Sequence, residues 1–198
     1  MEKKTNKWVK RSFFIMLCLA VIVIGGYYYL SNRGKEEQKD KIPTTEIDNL
    51  IAKDLETQYP GTPREVLKFY NRINKCLYNE GLSNDKLEAL LTQMRLLFSE
   101  ELLKENSYED QLENLKKDIK AYKSAKRKIV TTAVQKNEEV KYQTVGGEER
   151  ASIVTSYMLK EKDDYTKTFE QFIMKKDDKG LWKIVGWALT DDTNVSAE

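Results

Sequence analysis

The chain opens on an unbroken apolar run, then turns to helical periodicity, then to strand-like alternation. Phe13 to Leu30 (FFIMLCLAVIVIGGYYYL) is eighteen residues without a charge. As a helix at about 1.5 Å per residue it is roughly 27 Å long, close to the hydrocarbon thickness of a bilayer. The pattern therefore predicts a transmembrane helix over 13–30, after a short tail, 1–12. Residues 31–43 (SNRGKEEQKDKIP) offer only Ile42 for burial and read as a polar tether. A folded domain is expected over 44–190, and a disordered tail over 191–198.

Within that domain, Ile47, Leu50, Ile51 and Leu55 recur at helical spacing behind the box-like Thr45-Glu46-Ile47-Asp48, predicting a helix from about 45 to 57. Tyr59-Pro60-Gly61 breaks it, and Thr62 with Pro63 and Glu65 starts another. Its stripe is wide: Val66, Leu67, Phe69, Tyr70, Ile73 and Leu77, with Gly81 as the stop. Ser83 heads a third helix (Leu87, Leu90, Leu91, Met94, Leu97, Phe98) with a short continuation through Leu102 and Leu103. Ser107 with Asp110 heads the last, which carries Leu112, Leu115, Ile119 and Tyr122.

At Lys126 the composition shifts to Val, Thr, Ile and Tyr, which favour strands. Strands are expected at Arg127–Gln135, Ala151–Glu161, Tyr165–Lys175 and Leu181–Leu189, with a weaker fifth at Val140–Val145. Gly146-Gly147, Asp163-Asp164 and Asp177-Asp178-Lys179-Gly180 are turn signals, so the last three strands form an antiparallel meander. Ala151, Ile153, Tyr157 and Leu159 share a face, whereas Phe169 and Ile173 oppose Phe172 and Met174. An apolar pattern on both sides marks a central strand or a bulge. Helices followed by an antiparallel sheet make an α+β domain with three to four helices on one face of four to five strands.

Charge orients the span. Residues 1–30 hold five basic residues (Lys3, Lys4, Lys7, Lys10, Arg11) and one acidic residue (Glu2), which places the N-terminus in the cytoplasm and the domain outside. Trp8 and Tyr27, Tyr28 and Tyr29 fit the two interfacial aromatic belts. The bulky tyrosines at the exit favour an uncleaved signal-anchor over a cleaved signal peptide. Met16 and Leu17 before Cys18 do not suit a lipoprotein site. Outside the first thirty residues, 29 basic and 31 acidic residues remain, a net of −2. That leaves no electrostatic footprint for nucleic acid. The cluster Lys123, Lys126, Arg127 and Lys128 reads as a solvated face.

The chain has no histidine and two cysteines. This removes Ser-His-Asp and Cys-His nucleophiles, imidazole proton shuttles and His-ligated zinc or haem. Cys76, alone on the far side, reads as a buried helix cysteine. No Gly-rich phosphate loop, metal-ligand spacing or nucleophile elbow is present, and no cofactor or metal is expected.

The opening TPREVLKFYNRINKCLYNEG (Thr62 to Gly81) and the closing KDDKGLWKIVGW (Lys176 to Trp187) resemble the cystatin-like, nuclear-transport-factor-two-like superfold. Pro63, Glu65, Val66, Phe69 and Tyr70 match the first-helix motif, and Gly180, Trp182, Lys183 and Ile184 match the final strand. The Tyr59 to Val66 opening is also similar to that of a group of uncharacterised single-span proteins of Gram-positive anaerobes. The resemblance implies a curved sheet whose concave face the helices cover, with the first-helix stripe, Trp182 and Ile184 as packing between the layers. The early hairpin of the superfold's fullest form is not seen here. This fold hosts isomerases, dehydratases, binding modules and scaffold domains alike.

Relatives that do acid-base chemistry place a carboxylate in the cone beside a hydroxyl donor. Here Glu170 is the one acid set well inside an apolar strand, and Tyr70, Tyr122 and Tyr157 are the pocket hydroxyl candidates. The competing reading puts Glu170 on the solvent face, paired across the strand with a lysine, and the tyrosines in the core. The sequence as a whole points to a single-pass protein of the cell membrane whose outer domain binds a protein partner or an envelope component, as a scaffold subunit would. The alternative is a small-molecule pocket, with or without isomerase- or dehydratase-like catalysis. Glu170 facing solvent would favour the former, and Glu170 or a tyrosine pair facing the helices the latter.

Overall fold

The computed structural model describes residues 45–191 and Val195. The 1–12 tail, the 13–30 span and the 31–43 tether lie outside the described residues. The chain divides into two compact units, Met1–Thr44 and Thr45–Glu198, and every described residue belongs to the second. Among the described residues no helix is long and apolar enough to cross a membrane. Of the expected C-terminal tail, Asp191 is exposed and Val195 is buried.

Among the described residues five helices come first. Each begins at a Ser or Thr whose hydroxyl accepts a hydrogen bond from an otherwise unpaired first-turn N–H. They are α1 (Glu46–Ala52, capped by Thr45), α2 (Pro63–Asn79, Thr62), α3 (Asn84–Arg95, Ser83), α4 (Glu100–Glu105, Ser99) and α5 (Tyr108–Ser124, Ser107). The first is shorter than its apolar spacing suggests. Asp54 accepts from Glu56 N at 2.9 Å and Thr57 Oγ1 at 2.7 Å, closing a side-chain turn that ends the helix before Leu55. Leu55 is buried all the same, from that turn.

α2 buries Val66, Leu67, Phe69, Tyr70, Ile73, Cys76 and Leu77 and also the polar Asn71. Its stripe is wide because α2 has a layer on each side, the sheet and the helices α1, α3 and α5.

The strands are β1 (Arg127–Val134), β2 (Lys141–Val145), β3 (Glu148–Glu161), β4 (Asp164–Lys176) and β5 (Trp182–Leu189), with a 3-10 turn at Asn137–Glu139. All pair antiparallel in the order β1-β3-β4-β5, with β2 on the other half of the β3 edge that β1 occupies. Gly146 and Gly147 both have positive φ (61° and 85°), as the two-residue turn joining Val145 to its partner Glu148 requires. The β3–β4 turn is centred on Lys162-Asp163 rather than Asp163-Asp164, because Glu161 pairs with Asp164 and Lys162 takes the positive φ of 55°.

Register assigns the faces. Ala151, Ile153, Thr155, Tyr157 and Leu159 of β3 lie opposite Met174, Phe172, Glu170, Thr168 and Thr166 of β4 and share the helix-covered face. Phe169 and Ile173 are on the other side. β4 is internal, and its register against β3 is unbroken. The irregularities fall at Val130 in β1 and Val185 in β5, where an extra residue curls the sheet. The link between α3 and α4 is fastened to β5, since Ile184 N donates to Leu97 O at 2.8 Å and Ser99 N to Ile184 O at 2.9 Å. The core between the layers is dominated by Leu67, Ile73, Leu77, Leu90, Leu91, Ile153, Phe172, Met174 and Ile184.

Candidate functional site

α2 aims a polar line at the sheet. Asn71 lies within the apolar stripe, 1% exposed, and its side chain has partners on both sides. Asn71 Nδ2 donates to Thr155 Oγ1 at 2.9 Å, Thr155 Oγ1 donates to Ala133 O at 3.0 Å, and Tyr157 Oη donates to Asn71 Oδ1 at 2.7 Å. Both ends of the amide are thereby assigned. A buried polar chain with every member satisfied stiffens the core and fixes the position of its last hydroxyl, that of Tyr157.

Glu170 lies beside that hydroxyl. It is opposite Thr155 on β3 and Leu189 on β5, on the helix-covered face, and it is half-buried. The cross-strand lysine expected of an exposed glutamate is therefore absent: the neighbours are a threonine and a leucine. Among the described residues no lysine or arginine forms an ion pair with Glu170. Burial raises its carboxyl above the ordinary glutamate value, and the polar Tyr157 hydroxyl beside it offsets part of that rise.

Aromatic rings complete the surroundings. Burial pushes the phenols of Tyr70, Tyr78 and Tyr157 well up, and the charge of Glu170 adds to the effect on each, so all three stay neutral donors. Asn74, one turn beyond Tyr70 on α2, lies near the hydroxyls of Tyr70 and Tyr157 and tempers the rise of both. Trp187 stacks on Phe172 at 5.5 Å and 17° and meets Tyr70 at 5.9 Å and Phe98 at 6.0 Å. It is 41% exposed, and Leu189 beyond it is 76% exposed, so this end of the helix-covered face reaches solvent. Trp187 also lines a groove of about 230 Å³ with Phe98, Leu102, Asn106, Gln111 and Gly186.

Of the residues singled out in the sequence, the fold brings Glu170, Tyr157 and Tyr70 together. Tyr122 stands apart from that trio: it packs on Tyr78 at 4.5 Å and carries the Arg127 guanidinium at 5.2 Å. Arg127 is also paired with Glu161 at 2.6 Å. Asn71, Asn74, Tyr78 and Thr155 were not foreseen. The signal for three of them was present, since Tyr70, Asn74 and Tyr78 recur every four residues on one helix face and Asn71 interrupts an otherwise apolar stripe. Cys76 is buried and free, and burial raises its thiol. Among the described residues no group of three or more His, Cys, Asp or Glu is arranged to hold a metal ion.

The arrangement can accept a hydrogen-bond donor or a positive charge at Glu170, with Tyr157 held in place beside it and aromatic surface around it. No curated protein matches the chain at a significant level. A family model described as "Domain of unknown function (DUF6715)" matches residues 1–187, the apolar N-terminal run and the domain together, and the chain belongs to that family.

Proposed function

We propose that this is a single-pass, membrane-anchored binding protein whose outer domain takes a small ligand at the Glu170 end of its concave face. The observation that carries the reading is the placement of Glu170, turned to the helix side, without a cationic partner among the described residues, beside a tyrosine fixed by a buried network. An unpaired, half-buried acid costs stability, and a binding site is the usual reason for keeping one. The anchor reading rests on the charge-free run 13–30 and its basic flank. The full chain in dodecyl maltoside micelles, screened with small polar and apolar ligands by saturation-transfer NMR, tests the proposal. Ligands should bind the wild type and bind Glu170→Gln at least about tenfold more weakly, and ligands indifferent to that substitution would refute it.

A second reading, capture of a protein partner or envelope component in a scaffold role, is favoured by β2. This short strand pairs with no strand but β3 among the described residues and carries exposed Tyr142 and Val145, so its outer edge can accept another strand. Photo-crosslinkers placed at Gln143 and Val145 in native membranes should trap one reproducible partner if this edge is used. Labelling spread over abundant proteins would count against it.

A further inference from the structure

The acid at the candidate site lacks the counter-charge that several more exposed acids have. Glu46, Asp48, Glu101, Glu148, Glu149 and Glu161 all pair with a lysine or arginine although all lie at the surface, where such pairs contribute least. Glu170, the more buried acid and the one with most to gain, has no such partner.

Lys160 and Lys167 alternate onto the face opposite Glu170, where Lys167 Nζ lies over the Phe169 ring at 4.9 Å and Lys160 Nζ over Tyr165 at 5.5 Å, and Arg127, next to the β3–β4 turn, is held by Glu161 and Tyr122. What surrounds Glu170 adds negative character instead. The rings of Tyr70 and Tyr78 are close enough to feel its charge, Tyr78 also feels Asp118, and Trp187 stands beside Tyr70 and Phe172.

Resting on the reading that this face binds a small ligand, we propose that the ligand is an organic cation, an alkylammonium group seated against Glu170 among Tyr70, Tyr78 and Trp187. One carboxylate supplies the counter-charge, and ring faces replace the shell of water that such a group holds only loosely. A metal ion is a poorer match, because it requires several oxygen ligands and the described residues gather no such set. A neutral or anionic ligand would leave the carboxylate uncompensated or repelled.

The test compares choline with its uncharged isostere 3,3-dimethylbutan-1-ol, titrated into the full chain in dodecyl maltoside, which carries no choline headgroup. Binding is read by Trp fluorescence and by NMR shifts of the tyrosine rings. The wild type should prefer choline by about tenfold or more, and Glu170→Gln should lose most of that preference while Trp187→Leu weakens choline at unchanged circular dichroism. Equal binding of the two compounds, or a preference that survives in Glu170→Gln, overturns the cation assignment while leaving the pocket reading intact. If neither compound, nor any ligand of the broader screen, binds the wild type, both fail.

Discussion

Replacing Tyr157 with Phe removes one oxygen and leaves the ring's packing unchanged, so the loss should come from the network. Asn71 Oδ1 then loses its one donor among the described residues, in a place that is 1% exposed, where water cannot substitute. Stranding a buried acceptor costs about 1–3 kcal/mol, against roughly 0.5–1.5 for an ordinary exposed hydrogen bond. Asn71→Ala removes the acceptor for Tyr157 and the donor to Thr155 and opens a small cavity, for about 2–4 kcal/mol. Once Asn71 is gone, Tyr157→Phe should cost far less, since the hydroxyl has already lost its partner. The double mutant should therefore fall short of the sum of the single losses by about 1 kcal/mol or more. Urea unfolding of the full chain in maltoside micelles, followed by the fluorescence of Trp182 and Trp187, measures all four corners of the cycle. Additivity within about 0.3 kcal/mol would mean that the chain from Ala133 through Thr155 and Asn71 does not hold Tyr157, and would refute the reasoning.

Glu170→Gln should stabilise the protein at pH 7. The folded state raises this carboxyl, so it binds the proton more tightly than the unfolded chain, and the wild type loses stability as pH rises from the ordinary value of 4.5 through the raised one. The advantage of Gln should vanish below pH 4.5 in parallel urea titrations. Thr62→Ala should cost about 1 kcal/mol by the same assay, because Thr62 Oγ1 accepts from Glu65 N at 3.2 Å at the start of the central helix. Phe172→Ala, at the fully buried centre of β4 beneath Tyr70 and Trp187, should cost about 3–5 kcal/mol and quench the structured near-ultraviolet signal of Trp187. Cys76, buried and with its thiol raised, should react with a maleimide only at the rate of domain unfolding.

The helical half of the domain was legible because its starts are local chemistry. Thr45, Thr62, Ser83 and Ser107 each cap the helix that their spacing announced. The end of α1 was not, since Leu55 continues the apolar pattern and only the Asp54 side-chain turn decides where the helix stops. The strands and the split faces of β4 were legible from alternation. The curling bulges at Val130 and Val185 were not, because they depend on cross-strand register. For the site, period-two spacing placed Glu170 on the same side as Phe172, but sequence priors on buried acids argued for a lysine partner. Register against Thr155 and Leu189 removed that partner. Asn71 was passed over for a related reason: a polar residue on an apolar stripe declares its purpose only once Thr155 and Tyr157, more than eighty residues away, arrive beside it.

The account's central claim is that Glu170 faces the helices as an unpaired, half-buried acid. Carbon-13 labelling of the glutamate carboxyls in the full chain, with NMR titration of wild type and Glu170→Gln, measures it directly. One glutamate resonance should titrate clearly above 4.5 and be missing from the variant. If the resonance lost in Glu170→Gln titrates at or below 4.5, Glu170 is solvated or ion-paired, and the candidate site does not exist in the form described.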